Sequence, residues 1–255
     1  MPPASYEFFG AKITPATADE LCALLDAHVT LERQCVVASQ NLHGMYVGLN
    51  EPAVPTLHRL DRTYVHIDGM PIVWLCRLWG IRASSEHRVT LLDLIWPLLE
   101  LAERRGYRVY LLGGTESVAQ SAARTVGARL PRLALRAHHG FFSDAGEAPS
   151  VVEDIRAFET DLLLIGLGMG RQEKWILEHA PSISPACVVT VGACMEYLAG
   201  AVRVPPRWLG PLGLEWIFRL AENPKRFWRR YTIEPWVVAW NLAGHFARRR
   251  TGSMG

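Results

Sequence analysis

The chain has 255 residues, 49% hydrophobic and 20% charged, which supports a substantial core and excludes wholesale disorder. The formal net charge of +2 hides an asymmetry, because residues 201–255 hold nine arginines and one lysine against three glutamates. A mildly acidic body with a basic tail predicts an anionic partner at the C-terminus.

Residues 17–28 open on a capping threonine and carry helical periodicity. Cys35–Ser39 reads as a buried strand ending in Ser39-Gln40-Asn41, short polar groups that either face a ligand or make the turn. Two short helices are expected near 43–50 and 53–60. The stretch Thr63–Trp74 is a β-branched and aromatic run, then Asp68-Gly69, then Met70-Pro71 opening an apolar helix closed by Gly80. A carboxylate at the carboxyl end of a buried strand stands where α/β proteins place their chemistry. Read alone, Asp68 is a cap for the helix that follows before it is a catalyst.

Ser84–Thr90 is polar and leads into a helix from Leu91 to about Arg104, with Arg88 just before it. Tyr107–Leu112 is a strand, and Gly113-Gly114 then meets a helix over 115–126. Strand, paired glycines and helix N-terminus make a phosphate-friendly turn, although the full GxGxxG is missing. A short strand near Leu133–Arg136 and a helix over 149–159 follow. Asp161–Gly168 is a clear buried strand running into a helix to His179, where Gln172 in the first turn can donate hydrogen bonds outward. Ala186–Val191 is the last strand, with a short helix to Gly200. Strands alternating with helices, each junction polar or glycine-rich, predict an α/β fold with a largely parallel sheet covered on both faces.

The chain then changes character. Residues 1–200 read as the α/β core, and 201–255 as a helical, basic and aromatic appendage. Trp236 and Trp240 share a helical face at i, i+4, between Arg229-Arg230 and Arg248–Arg250. Such a surface either lies in a membrane interface or packs as an aromatic stripe on the core. The five cysteines lack metal-ligand spacing and read as core residues. No basic-then-apolar leader and no apolar run of roughly 18 residues occurs, so a cytoplasmic chain is expected.

Several pieces, in order, resemble the WecG/TagA/CpsF glycosyltransferases, glycosyltransferase family 26. They are Ser39-Gln-Asn41, Asp68-Gly-Met-Pro-Ile-Val-Trp74, His87-Arg-Val-Thr90, Leu111-Leu-Gly-Gly114, Ile165–Trp175, Val191-Gly-Ala193 with Tyr197–Gly200, Gly213–Trp216 with Arg219, and Pro224–Phe227 with Arg229-Arg-Tyr231. The resemblance covers residues 30–232. It implies a Rossmann-like core and an inverting transfer from a UDP-sugar to a polyprenyl-diphosphate-linked saccharide. It further implies a peripheral place on the inner face of the cytoplasmic membrane, no required metal or other cofactor, and a homo-oligomer. Carried over, Asp68 is the general base and Arg88 a phosphate contact. Ser39, Asn41 and Gln172 line the donor and reaction site, with Gly113 and Gly114 at the phosphate turn. Arg219, Arg226 and Arg229 close on the diphosphate from the appendage.

Departures occur at His87–Asp93, at Met169-Gly-Arg171 and at Glu196-Tyr197, and they leave Asp68, Arg88 and Gln172 intact. The Asp-Gly-Met-Pro form resembles the exopolysaccharide branch, which makes glucose the first expected donor sugar and N-acetylmannosamine or its uronate the second. The chemistry suits the residues independently. An inverting displacement needs one carboxylate to take a hydroxyl proton and positive charge where the diphosphate leaves. The chain has no Asp-x-Asp, and arginines fit phosphate bidentately. A nicotinamide-binding oxidoreductase and a non-catalytic membrane scaffold are the competing classes.

Overall fold

The computed structural model describes residues 2–142, 146–183 and 186–252, with side chains to residue 244. The Arg248–Arg250 cluster and Phe246 therefore lie outside the described side chains.

The chain opens with an antiparallel hairpin, β1 (Tyr6–Phe8) and β2 (Ala11–Ile13), and then α1 (Ala18–Thr30). β3 (Val36–Gln40) is followed by α2 (Leu42–Gly48) and α3 (Ala53–Arg59), and β4 (Thr63–Ile67) by α4 (Met70–Leu78) and α5 (Leu91–Arg105). β5 (Arg108–Gly113) leads to α6 (Glu116–Arg129), and β6 (Ala134–His138) to α7 (Ala148–Ala157). β7 (Leu162–Gly166) leads to α8 (Arg171–His179), and β8 (Cys187–Thr190) to α9 (Cys194–Leu198). Three helices close the chain: α10 (Glu215–Glu222), α11 (Pro224–Thr232) and α12 (Glu234–Gly252).

Six strands form one parallel sheet in the order β4-β3-β8-β7-β5-β6. Period-2 alternation divides the side chains between two layers. Val109, Leu111, Leu162 and Leu164 pack with α1, α5, α6 and α9 on one face. Tyr110, Leu112, Leu163 and Ile165 pack with α3, α7 and α8 on the other. Strands buried on both faces explain the near-continuous apolar runs at 109–112 and 162–165. The α/β reading holds, and the three-residue strands of the hairpin were too short to carry a periodic signal. From β3 the chain steps outward to β4, and from β5 outward to β6. The carboxyl ends between these divergences form the crevice where α/β sheets bind ligands.

All five cysteines are free and buried. The aromatic stripe of α12 does not pack on the core: Trp236 and Trp240 are 76% and 82% exposed, whereas Val238 is buried. Among the described residues no helix is long and apolar enough to cross a membrane.

Candidate active site

A cavity of about 350 Å³ opens at the carboxyl ends of β3, β4, β7 and β8. Ser39, Asn41, Asp68, Gly114, Gln172, Arg219 and Arg226 line it together. Three other expected residues, Gly113, Arg88 and Arg229, stand elsewhere.

Asp68 follows β4, and its N–H donates to the Gln40 carbonyl at 2.8 Å, carrying the pairing with β3 one residue past the strand. It does not cap α4, whose N-cap is Gly69 with no side-chain bond. Asn41 does two jobs instead. Its Oδ1 accepts the Gly44 N–H at 2.9 Å, capping α2, while its Nδ2 donates to Asp68 Oδ2 at 2.9 Å. One carboxylate oxygen is thus held by a rigid helix cap, and the other has no partner among the described residues. Ser39 is fixed beside it, its N–H donating to Thr190 Oγ1 at 3.1 Å.

The floor is bare backbone because the strand ends approach too closely for side chains. A Cβ on Gly166 would stand 2.4 Å from the Gly192 carbonyl, and one on Gly113 would stand 2.7 Å from the Gly166 carbonyl. Gly113 is therefore a packing residue beneath the floor, and only Gly114 of the pair reaches the cavity.

Gln172 is buried in the cavity wall, but its amide points the opposite way from the sequence expectation. Nε2 donates to Glu173 Oε1 at 2.8 Å, and Oε1 has no partner among the described residues. Gln172 offers an acceptor, which needs a donor from a bound molecule or water. Burial pushes the Glu173 carboxyl up, opposed by Gln172 and the Gly170 N–H. Arg171 fastens the opposite rim, donating to the carbonyls of Gly140 at 2.8 Å and Phe142 at 3.0 Å. Between them Phe141 stands at the mouth, largely exposed.

The positive wall comes from α10 and α11. Arg219, Arg226 and Arg230 line the cavity. Arg226 and Arg230 share a helical face at i, i+4, whereas Arg229 turns away and reaches Tyr46 Oη at 3.4 Å. That spacing was the signal by which the sequence could have singled out Arg230 over Arg229. Burial works against the charge of Arg219, but Tyr197, Asp68, Tyr231 and Glu215 outweigh it and raise its pKa. Arg230 is held lower by burial and by Arg219, with Tyr231, Asp68 and Glu234 opposing. A carboxylate and two partly buried guanidinium groups thus feel one another across the cavity.

Arg88 does not reach the cavity. Its Nη1 bonds Glu215 Oε2 at 3.2 Å, with the two side chains 7% and 17% exposed. Its guanidinium packs so closely on Gly210 that a Cβ there would overlap it. Arg207 adds a second tie to Asp93. Both contacts fasten the segment after residue 201 to the core.

The sequence reading missed His43, Glu196 and Tyr197 as lining residues. His43 Nδ1 lies 2.6 Å from Glu234 Oε2 at the start of α12. Among the described residues, no three His, Cys, Asp or Glu side chains cluster as a metal site requires.

The model of the glycosyl transferase WecG/TagA/CpsF family matches residues 6–252. N-acetylglucosaminyldiphosphoundecaprenol N-acetyl-beta-D-mannosaminyltransferases from Staphylococcus aureus strains MW2 and NCTC 8325 / PS 47 are each 27% identical over 205 residues. The match spans 77% of this chain and 79% of each relative.

Proposed function

The chain belongs to the WecG/TagA/CpsF glycosyltransferase family, and from that premise we propose that it transfers N-acetylmannosamine from UDP to a polyprenyl-diphosphate-linked N-acetylglucosamine. The relatives named for that transfer favour this donor over glucose, the first expectation from the sequence, which has no comparable support. The observation that carries the reading is a carboxylate, Asp68, sharing one cavity with Arg219, Arg226 and Arg230 above a glycine floor.

In this mechanism the nucleotide diphosphate lies over Gly114, Gly166 and Gly192, where backbone can approach it closely. The acceptor hydroxyl enters beside Asp68. Its oxygen attacks the donor's anomeric carbon from the face opposite the diphosphate, and the C–O bond to UDP breaks with its electron pair on the leaving oxygen. The hydroxyl proton passes to the free oxygen of Asp68, the other being held by Asn41. The arginines stabilise the charge growing on the diphosphate, an effect strengthened where water is displaced.

In this reading residues 201–255 form an appendage that completes the site. Trp216, Trp228, Trp236 and Trp240, all exposed, are suited to an anionic membrane surface on the cytoplasmic side, where a lipid-linked acceptor resides.

Purified protein given lipid-linked N-acetylglucosamine and a panel of UDP-sugars, with mass spectrometry of the products, tests the proposal. UDP-N-acetylmannosamine should give the largest product signal. Efficient use of another sugar would replace the donor, and release of no UDP from any would end the transferase reading.

A further inference from the structure

His43 was not expected at the site, and its placement carries a role of its own. It stands in the first turn of α2, two residues after Asn41, the side chain that holds Asp68. Its ring lines the cavity and is about one-quarter exposed, while the Glu234 carboxylate it meets is buried. Burial, then Arg230, push the His43 pKa below its ordinary value against the pull of Glu234. Both effects favour the neutral ring. With a carboxylate at 2.6 Å, the proton of a neutral imidazole sits on Nδ1. Nε2 is left as a lone-pair acceptor with no partner among the described residues. A lone pair repels phosphate oxygens and accepts from hydroxyls.

Position decides which hydroxyl. The glycine turns suited to a nucleotide diphosphate follow β7, β8 and β5, at the middle and far side of the sheet. His43 and Asp68 follow β3 and β4, the opposite edge, where α12 packs on α2. Resting on the transferase reading above, we infer that His43 is an acceptor-binding residue: Glu234 fixes its ring, and Nε2 accepts a hydrogen bond from a hydroxyl of the acceptor sugar. Because Glu234 belongs to α12, that contact is complete only while the C-terminal helix is seated on the core.

A clamp alone would explain the His43–Glu234 hydrogen bond, so the test must separate anchoring from substrate contact. In His43→Asn the amide Nδ2 can still donate to Glu234, but nothing reaches the position of Nε2. Steady-state transfer is measured with donor and acceptor varied in turn, alongside the melting temperature. His43→Asn should keep the melting temperature and the donor KM while raising acceptor KM about tenfold, equivalent to roughly 1.4 kcal/mol. Glu234→Gln, whose amide oxygen still accepts from Nδ1, should raise acceptor KM less than His43→Asn does. Glu234→Ala should lower the melting temperature and raise acceptor KM together. An unchanged acceptor KM in His43→Asn, or a rise confined to donor KM, would overturn the assignment while wild-type turnover left the transferase reading intact. A wild-type protein that transfers nothing in the same assay would overturn both.

Discussion

Arg88→Ala distinguishes a diphosphate contact from a clamp on the C-terminal helices. In the structure Arg88 Nη1 is 3.2 Å from Glu215 Oε2, and both side chains are largely withdrawn from water. At that distance and an effective dielectric near 20 the attraction is about 5 kcal/mol. Desolvation of the pair offsets much of it, and removing one partner leaves the other charge stranded, so the net cost is about 3 kcal/mol. If the appendage unfolds together with the core, that corresponds to a fall of roughly 6–12 °C in melting temperature for a domain of this size. If the appendage detaches first, protease cutting within 201–214 should appear before global unfolding.

Transfer falls in either case, because Glu215 lies one turn before Arg219 on α10. The assay is a double-mutant cycle over Arg88→Ala and Glu215→Ala, read by melting temperature and by donor KM. The double variant should be more stable than the sum of the singles predicts, by about 2 kcal/mol. Glu215→Gln should reproduce most of the activity loss, since it weakens the clamp without touching Arg88. An Arg88→Ala protein of unchanged stability and raised donor KM, with Glu215→Gln fully active, would refute the clamp and restore the phosphate contact.

Other perturbations probe the remaining parts of the site. Asp68→Asn keeps an acceptor for Asn41 Nδ2 and so should fold normally while losing roughly two to four orders of magnitude in transfer rate. Near-wild-type turnover would remove the base assignment. Arg230→Ala should impair UDP-sugar use at least tenfold while Arg229→Ala leaves it within about twofold, as removal of a charge-assisted contact predicts; equal losses would mean that helical facing does not divide their roles. Burial holds the His58 pKa down from 6.5 to about 4, and both ring nitrogens lack partners among the described residues. Between those values the unfolded chain binds a proton that the folded chain refuses, so stability drops as pH falls from 6.5 towards 4, by about 3 kcal/mol in all. Melting temperature against pH should be flatter in His58→Leu, and an unaltered slope would show that His58 takes no part.

The core was legible because strands buried on both faces leave apolar runs, and each run ends at a residue with a local signature. Asp68, Asn41 and Ser39 could be read because strand ends in a parallel sheet point their chemistry to one edge whatever the tertiary detail. What failed was orientation. A sequence gives Gln172 both a donor and an acceptor, and only the neighbouring Glu173 carboxylate decides which is spent. Gly113 and Gly114 look alike in the chain, but the Gly166 carbonyl lies against one and the cavity against the other. Arg88 and Arg229 were chosen by motif, whereas burial beside Glu215 and helical phase set their directions.

The sheet and the C-terminal helices supply different parts of the site. Asp68 and the glycine floor belong to the sheet and are fixed by its register, independent of residues after 200. Every arginine lining the cavity except Arg171 comes from α10 or α11, and Arg171 is spent on the carbonyls of the rim. The charge that would meet a leaving diphosphate is therefore supplied by helices tied to the core through polar pairs: Arg88–Glu215, Arg207–Asp93 and His43–Glu234. Arg88–Glu215 ties α10 itself and Arg207–Asp93 the segment just before it, while α10 and α11 contain no buried residue. Attachment of this kind is weaker than core packing and sensitive to its surroundings. A surface that received the exposed tryptophans of α10, α11 and α12 would add apolar burial to the appendage and hold its arginines over the cavity, linking catalytic competence to the place where a lipid-borne acceptor is found.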